Sequence, residues 1–132
     1  MERSADVASF VEEMYTRMRS GDGDAAAALV ADESVLFVGT DGDEWWATPD
    51  AVKTAFREQL EATGGFDITA GDIVAYASGD IGWFGDQPTM GLPDGSTVTM
   101  RMTGVVHKRN GAWTCVQGHL SVPADVNDTL FE

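Results

Sequence analysis

Three strong turn signals divide the second half of the chain and constrain its fold more than any other feature. They are Ser78-Gly79-Asp80, Pro93-Asp94-Gly95 and Asn110-Gly111, and each lies between runs rich in Val, Ile, Thr and aromatic residues. Short turns of this kind between such runs are typical of β-hairpins. The spacing therefore predicts four consecutive antiparallel strands after Gly65.

The first half of the chain shows helical patterns instead. Apolar residues recur at helical spacing from Val7 to Met18, and Ser20-Gly21 ends the pattern. A second, short helix is indicated by an alanine run at 25–28 that follows two acidic residues, since acids favour a helix N-terminus. We therefore expect a helical hairpin at the start of the chain.

A third helix and one earlier strand complete the pattern. Thr48-Pro49-Asp50 predicts a helix start, with an N-cap followed by proline, and Gly64-Gly65 predicts its end. A strand is predicted at 34–39. Helices segregated from antiparallel strands indicate the α+β class, with the helices covering one face of a sheet. The 132 residues suit one domain, with a core at about 5–122 and a polar tail at 123–132.

The net charge excludes several kinds of partner. The chain has 22 acidic and 8 basic residues, a formal charge of −14, which repels phosphate backbones and anionic lipids. We expect no nucleic-acid partner and no membrane partner. Because salt screens repulsion among surplus carboxylates, a halophilic source and an ordinary acidic bacterial protein are alternative interpretations.

The predicted compartment is the cytoplasm. No apolar run approaches the ~20 residues of a membrane span, and the N-terminus lacks a signal-peptide pattern. The single cysteine, Cys115, fits a reducing environment. Two separated histidines and one cysteine form no metal-ligand spacing, and no phosphate-binding glycine motif or nucleophile elbow occurs. We therefore expect no metal site and no cofactor.

Three segments then resemble a known superfamily. They are SGDGDAAAALVADESVLFVG at 20–39, TPDAVKTAF at 48–56 and GAWTCVQGHLSV at 111–122. Together with the element order, they resemble the nuclear transport factor 2-like, or SnoaL-like, superfamily, which includes ketosteroid isomerases and polyketide cyclases. The resemblance spans about 5–122. It implies a cystatin-like cone, in which a curved antiparallel sheet wraps around the N-terminal helices and leaves an apolar pocket at its open end.

The alternation of the last predicted strand locates the pocket, because successive strand residues point to opposite faces. One face carries Trp113, Cys115, Gln117, His119 and Ser121. The other face carries Val116, Leu120 and Val122. A monomer would expose this second, apolar face, so we predict that it forms a homodimer interface, as is common in the superfamily. The first face is then expected to point inward.

The resemblance places Arg101 and Thr103 of the preceding strand inward as well, so that a polar cluster lies inside an apolar cone. One interpretation is internal pairing of Arg101 with Asp86 or Asp41, because a buried charge without a partner is costly. The other is a ligand site. Its predicted ligand-binding residues on these two strands are Arg101, Thr103, Gln117 and Ser121. Arg101 would orient an anionic or carbonyl group, and His119, with Asp41 or Asp86, is the candidate for catalytic proton transfer.

Aromatic residues are further candidates for the ligand site. Trp45 and Trp46 follow three carboxylates in the stretch DGDEWW, which we predict to be a loop at the mouth of the cone. One of the two is expected to line the entrance and the other to cap the core or the dimer edge. Trp83, on a middle strand, is a core or pocket residue.

Tyr15 is another predicted ligand-binding residue, on the first helix. It lies one position away from the oxyanion tyrosine that the resemblance to ketosteroid isomerases implies. The base aspartate of those enzymes has no counterpart in the matching stretch Phe37-Val38-Gly39. Steroid isomerisation is therefore not expected.

We expect the protein to bind a small, partly apolar carbonyl or carboxylate compound, with isomerase, cyclase or hydrolase-like acid–base chemistry as an extension. A noncatalytic ligand-sensing or assembly module is the alternative. The superfamily includes both enzymes and binding modules, so the fold does not choose between them.

Overall fold

The computed structural model describes residues 1–123, so the predicted polar tail, apart from Pro123, lies outside the described residues. Three helices are present in this part of the chain: α1 (Ala5–Ser20), α2 (Gly23–Ala27) and α3 (Pro49–Thr63). None of the helices within residues 1–123 is long and apolar enough to cross a membrane.

The predicted ends of the two long helices are confirmed. The backbone N–H of Ala51 donates to the Thr48 hydroxyl oxygen at 3.2 Å, and Pro49 follows as the first residue of α3. Gly21 ends α1 with φ 76° and Gly64 ends α3 with φ 73°, a conformation that glycine adopts without a steric cost. These ends were predictable because capping depends on residues close together in the sequence.

Ten strands are described in residues 1–123. They are β1 (Glu2–Arg3), β2 (Leu36–Val38), β3 (Trp45–Trp46), β4 (Asp67–Thr69), β5 (Val74–Ser78), β6 (Ile81–Asp86), β7 (Thr89–Gly91), β8 (Thr97–Thr99), β9 (Arg101–Arg109) and β10 (Ala112–Ser121). Seven of them follow α3, where four were predicted. The difference arises because short strands β4, β7 and β8 form a small sheet of their own.

The main sheet has the order β1-β5-β6-β9-β10-β2-β3 and curves around the helices. Its neighbours are antiparallel except β10 and β2, which run parallel. All three predicted turns are confirmed: they join β5 to β6, β7 to β8 and β9 to β10. The α+β fold class predicted from the segregated helices and strands is therefore confirmed.

The core lies between α1 and the inner face of the main sheet. The apolar stripe of α1 is buried, with Val7, Val11 and Tyr15 fully enclosed. On the sheet side, Phe84 and Val106 are equally enclosed. Burying each large side chain contributes about 1.5–3 kcal/mol, so this layer contributes much of the stability of the fold.

A β-bulge interrupts the pairing of β10 with β9. Cys115 lies opposite Val106, yet Gln117 lies opposite Val105, so that Val116 is an extra residue in β10. An extra residue shifts the alternation of side chains by one position. The face on which a β10 side chain lies therefore depends on which side of Val116 it occupies.

The bulge overturns the predicted alternation of the last strand. Before it, Cys115 faces the interior; after it, Gly118 and Leu120 do. Gln117 and His119 consequently lie on the outer face, opposite Val105 and Thr103 of β9.

The stretch DGDEWW is not a plain loop, contrary to the prediction. Trp45 and Trp46 form β3, which pairs antiparallel with β2 through Val38 and Phe37. Only the preceding residues form the turn, in which Glu44 N–H donates to the carbonyl oxygen of Asp41 at 3.0 Å. This short hairpin brings its acidic turn to the open end of the sheet.

Candidate ligand cavity

A cavity of about 390 Å³ opens between α3, the end of α1 and the inner face of the main sheet. Its aromatic wall consists of Phe37, Trp46, Phe56, Phe66 and Phe84. Phe37 and Phe56 meet edge to face, with ring centroids 6.0 Å apart. This contact favours one arrangement of the two rings, which form an apolar part of the lining.

Methionine dominates the rest of the wall. Five of the six methionines in the chain line the cavity: Met14, Met18, Met90, Met100 and Met102. The unbranched thioether side chain has three rotatable bonds and adapts to irregular shapes. The lining therefore combines aromatic rings with side chains that can adjust to the shape of a ligand.

Polar groups occur at the rim. The exposed lining residues, which define the mouth, are Thr40, Asp41, Ala62, Thr63 and His119. Glu44 and Gln59 lie just inside them and are partly buried. The mouth thus combines the turn before β3 with the C-terminal part of α3.

The carboxylate of Glu44 is held on both oxygens. Oε1 accepts a hydrogen bond from the backbone N–H of Asp41 at 2.9 Å, and Oε2 accepts one from Nε2 of Gln59 at 3.0 Å. The side chain folds back over Gly39, where a Cβ atom would lie 2.5 Å from Oε1. Only glycine leaves room for this arrangement, so the backbone itself provides the space for the carboxylate.

The two adjacent tryptophans occupy different environments. Trp46 lines the cavity and is partly buried, whereas Trp45 is 63% exposed and does not line it. This separation follows from strand geometry, because consecutive residues of β3 point to opposite faces. Trp46 is therefore the indole placed to contact a ligand.

The predicted inward positions of Arg101 and Thr103 are wrong. Both are exposed, whereas Met100, Met102 and Gly104 between and beside them are buried. The methionines, and not Arg101, face inward because an unpaired guanidinium in an apolar cavity would lose its hydration without compensation. Neither predicted ion pair, of Arg101 with Asp86 or with Asp41, is formed.

The predicted polar cluster exists, but on the outside of the sheet. His119 pairs opposite Thr103, and Ser121 opposite Arg101. Gln117 belongs to the same outer face. Their predicted inward orientation is therefore wrong, although His119 still borders the mouth of the cavity.

The predicted dimer face is likewise divided. Leu120 lies on the inner face and lines the cavity, so it is not part of an outer apolar surface. The bulge at Val116 is again the reason, because it interrupts the alternation that would otherwise place Val116 and Leu120 on the same face. The prediction that Trp83 is a core or pocket residue is wrong: its side chain is 40% exposed on the outer face, does not line the cavity and stacks on Tyr76 with ring centroids 5.0 Å apart.

Tyr15 and Asp86 meet in the core, outside the cavity lining. The Tyr15 hydroxyl donates to Oδ2 of Asp86 at 2.9 Å, and the Gly71 N–H donates to the same oxygen at 3.2 Å. Burial, with the adjacent Asp86 carboxylate, raises the pKa of Tyr15 well above its usual range. Oδ1 of Asp86 is buried without a hydrogen-bond partner among the described residues. This pair joins α1 to β6, and neither residue lines the cavity, so the prediction of Tyr15 as a ligand-binding residue is not supported by its position.

The three predicted proton-transfer residues do not come together. Asp86 is 7% exposed and hydrogen-bonded to Tyr15 in the core. Asp41 lies in the exposed turn before β3, and His119 is exposed at the mouth of the cavity. No hydrogen bond or ion pair within residues 1–123 joins any two of them.

Cys115 contributes the one thiol of the cavity wall among residues 1–123. Burial raises the pKa of its thiol to about 12, and the thiol donates to the carbonyl oxygen of Gln117 at 3.2 Å. A thiol with this pKa stays protonated near neutral pH and is a poor nucleophile. Within residues 1–123, no group of three or more His, Cys, Asp or Glu side chains is arranged to hold a metal ion.

Sequence reasoning missed Glu44, Gln59 and the methionines. Glu44 belongs to an acidic turn of the kind that is usually just solvated, and its partner Gln59 is 15 residues away along the chain. For the methionines a signal was present: Met100 and Met102 alternate with polar residues, as the inner face of a strand should.

The sequence model of the SnoaL-like domain matches residues 7–125. The chain belongs to the SnoaL-like family. No curated protein matches the chain.

Solved structures share the fold at low sequence identity. An NTF2-like protein of unknown function from Pseudomonas putida is 18% identical, with a TM-score of 0.81 over 92% of this chain and 87% of that one. A candidate dehydratase of the NTF2-like family from Streptomyces avermitilis is 16% identical, with a TM-score of 0.77 over 91% and 95% of the two chains. A candidate calcium/calmodulin-dependent protein kinase II association domain from Xanthomonas campestris is 20% identical, with a TM-score of 0.75 over 96% and 97%. These similarities show the fold, and the match of the SnoaL-like domain model confirms the predicted superfamily.

Proposed function

We propose that this SnoaL-like protein binds a small, mainly apolar organic molecule in the cavity between α3 and the main sheet. The observation that carries the proposal is the cavity itself. Its volume of about 390 Å³ falls within the roughly 300–1,000 Å³ that is usual for small-molecule sites. Its wall is apolar and its polar groups are confined to the mouth, which is the usual arrangement of a ligand site.

The proposal is for binding without a catalytic step. Acid–base chemistry needs a positioned donor and acceptor within hydrogen-bond reach of the reacting group. The predicted acid–base residues are separated between the core, the turn and the outer face, so they do not supply such a pair. The name of the Streptomyces avermitilis protein makes dehydration the reaction to assay first, and binding does not depend on its outcome.

A neutral fluorescent probe, N-phenyl-1-naphthylamine, tests the proposal directly. We expect its emission to increase on binding to the protein. Ala55, on the cavity wall, gives a blocking variant: Ala55→Phe should reduce the probe affinity at least about tenfold by filling the space. Ala112, exposed at the start of β10, gives the matched control, and Ala112→Phe should leave the affinity unchanged. Equal probe binding by the parent protein and the folded Ala55→Phe variant would refute the site.

Tryptophan fluorescence gives an independent measurement. Because Trp46 lines the cavity and Trp45 does not, a bound molecule should alter the emission of Trp46. The ligand-dependent change should be largely lost in Trp46→Phe and retained in Trp45→Phe. Loss of the change in Trp45→Phe alone would place the ligand elsewhere.

A second candidate function, assembly through a homodimer, is favoured by the outer face of the main sheet. Strands β5, β6, β9 and β10 contain one carboxylate, Asp86, and it is buried. The outer face of these strands is therefore free of acidic side chains in a chain of net charge −14. We propose that a second copy of the chain covers this face, because contact elsewhere would bring carboxylates together. The Xanthomonas campestris structure of the same fold is named as an association domain, which supports assembly as a use of this fold.

Light scattering tests the dimer. Trp83, half-exposed at the centre of this face, gives the disruptive variant, and Trp83→Glu should dissociate the dimer. Trp45→Glu is the control, since Trp45 is more exposed but lies at the edge strand β3. A parent protein that is monomeric at both low and high salt would reject the proposal.

A further inference from the structure

Within residues 1–123, the cavity lining contains acidic side chains but no lysine or arginine. All eight Lys and Arg residues of the chain lie within residues 1–123, and none of them lines the cavity. Asp41 and Glu44 do line it. Because Arg101 is on the outer face, the cavity has no guanidinium to receive a carboxylate ligand. The carbonyl or carboxylate specificity expected from the sequence therefore loses its main support.

Glu44 is ordered but not neutralised. Its oxygens accept hydrogen bonds from the Asp41 N–H and the Gln59 amide, which are neutral donors. The four ion pairs found within residues 1–123 use other carboxylates: those of Glu13, Asp24, Asp32 and Glu33. A carboxylate fixed by neutral donors beside an apolar space is a favourable partner for a cation that arrives with a ligand.

The end of α3 adds negative potential on the same side of the cavity. Gln59, Ala62 and Thr63, from the C-terminal part of this helix, line the cavity. A helix C-terminus carries a partial negative charge, and basic side chains usually accompany it. The last turn of α3 has no basic residue, whereas that of α1 has Arg17 and Arg19. The helix end and the carboxylate therefore act on a bound molecule with the same sign.

We propose that the ligand is a cationic amphiphile: a protonated amine that bonds to Glu44 at the mouth, joined to a flexible apolar body that fills the methionine-lined interior. This inference rests on the proposed function, because it names the class of molecule that the same cavity takes. The adaptable methionine side chains accept a range of apolar shapes, while Glu44 fixes the position of the charged end. Gln59 is a positioning residue, because it holds Oε2 of Glu44.

Three ligands with the same eight-carbon chain separate the head group from the apolar body. They are n-octylamine, which is cationic at neutral pH, 1-octanol, which is neutral, and octanoate, which is anionic. Each is titrated against the bound N-phenyl-1-naphthylamine probe. We expect octylamine to displace the probe at about a tenfold lower concentration than octanol, with octanoate the weakest, since bonds to charged groups exceed neutral ones.

Matched variants separate Glu44 from the general negative field of the protein. Glu44→Gln should bring octylamine and octanol to within about twofold of each other and leave octanol unchanged. Glu58→Gln removes the same charge from an exposed position of α3 outside the cavity and should preserve the tenfold preference. Measurement in about 1 M NaCl, where the Debye length is roughly 3 Å, should retain the preference, because a close contact is screened less than a distant field.

The outcomes distinguish this inference from the proposed function. If octanol or octanoate binds as tightly as octylamine, or if Glu58→Gln abolishes the preference as completely as Glu44→Gln does, the amine inference is wrong although the cavity still binds apolar molecules. If Ala55→Phe leaves the binding of all three ligands and of the probe unchanged, the proposed cavity function fails, and the amine inference fails with it.

Discussion

The inner and outer faces of β9 differ completely in chemistry although they share one backbone. On the inner face, Met102 and Val106 are buried, and so is Met100, the residue just before the strand. The outer face presents Arg101 and Thr103 to solvent. A residue of this sheet can contact a ligand only if the alternation of its strand places it on the inner face. In β10 the extra residue Val116 determines that alternation for all later residues.

The largest effect is expected from a charge on the inner face of β10 after the bulge. Leu120 lines the cavity there, so Leu120→Glu would place a carboxylate against the apolar wall without a partner. We expect a loss of about 3–5 kcal/mol in the free energy of unfolding, measured by urea denaturation. His119→Glu adds the same charge at the adjacent exposed position and should change the free energy of unfolding by less than about 0.5 kcal/mol. Equal losses in the two variants would show that the bulge does not set the phase of β10.

Two neighbouring residues of β9 give the next test. Met102→Ala removes a buried side chain and should cost about 2–5 kcal/mol in the free energy of unfolding. Arg101→Ala removes an exposed one and should change it by less than about 0.5 kcal/mol. Arg101→Ala should also leave probe affinity unchanged, as Arg109→Ala should. If Arg101→Ala lowered the probe affinity and Arg109→Ala did not, Arg101 would have to contact the ligand. That result would contradict its assignment to the outer face.

The buried thiol adds a test by pH. The pKa of Cys115 is raised from 9.0 to about 12 in the folded protein, so between these values the unfolded chain has lost a proton that the folded protein retains. The free energy of unfolding is therefore unaffected by this group below about pH 9 and falls above it, by about 1.4 kcal/mol per pH unit. Cys115→Ala should remove this slope between about pH 9 and pH 10.5 in urea denaturation. Tyr15 acts in the same direction but is present in both proteins, so equal slopes would contradict the assigned burial.

The smallest effect concerns salt, which acts on the charges at the surface of the molecule. Ions screen repulsion among the exposed carboxylates, so the melting temperature should rise by roughly a few degrees between low salt and about 1 M NaCl. Differential scanning calorimetry measures the shift. A constant melting temperature over this range would disfavour the halophilic interpretation of the acidic composition.

Local sequence signals predicted much of the fold. The caps at Thr48 and Gly64, and the turns at Gly79 and Asn110-Gly111, act within a few residues, so the sequence shows them directly. The α+β class follows from their order. The small separate sheet was not predicted because its strands have three residues each, too few for a periodic pattern.

The cavity was less predictable, for two physical reasons. The bulge lies in Cys115-Val116-Gln117, which contains no glycine or other residue type that is typical of a bulge. Because it was not predicted, every later residue of β10 was assigned to the wrong face. The orientation of Glu44 depends on Gln59 and on the space above Gly39, which are contacts made only in the folded chain. Trp46 was within reach of sequence reasoning, because two adjacent strand residues must point to opposite faces.

The concentration of methionine in the cavity lining provides a spectroscopic reporter. Selective isotopic labelling of methionine methyl groups would give six resonances, five from the cavity and one from Met1, which lies outside it and is 65% exposed. A molecule that enters the cavity should shift several of the five and leave the Met1 resonance in place. Mixtures of unlabelled metabolites can thus be screened without a chromophore, and the pattern of shifted methyl groups would show how deeply each compound enters.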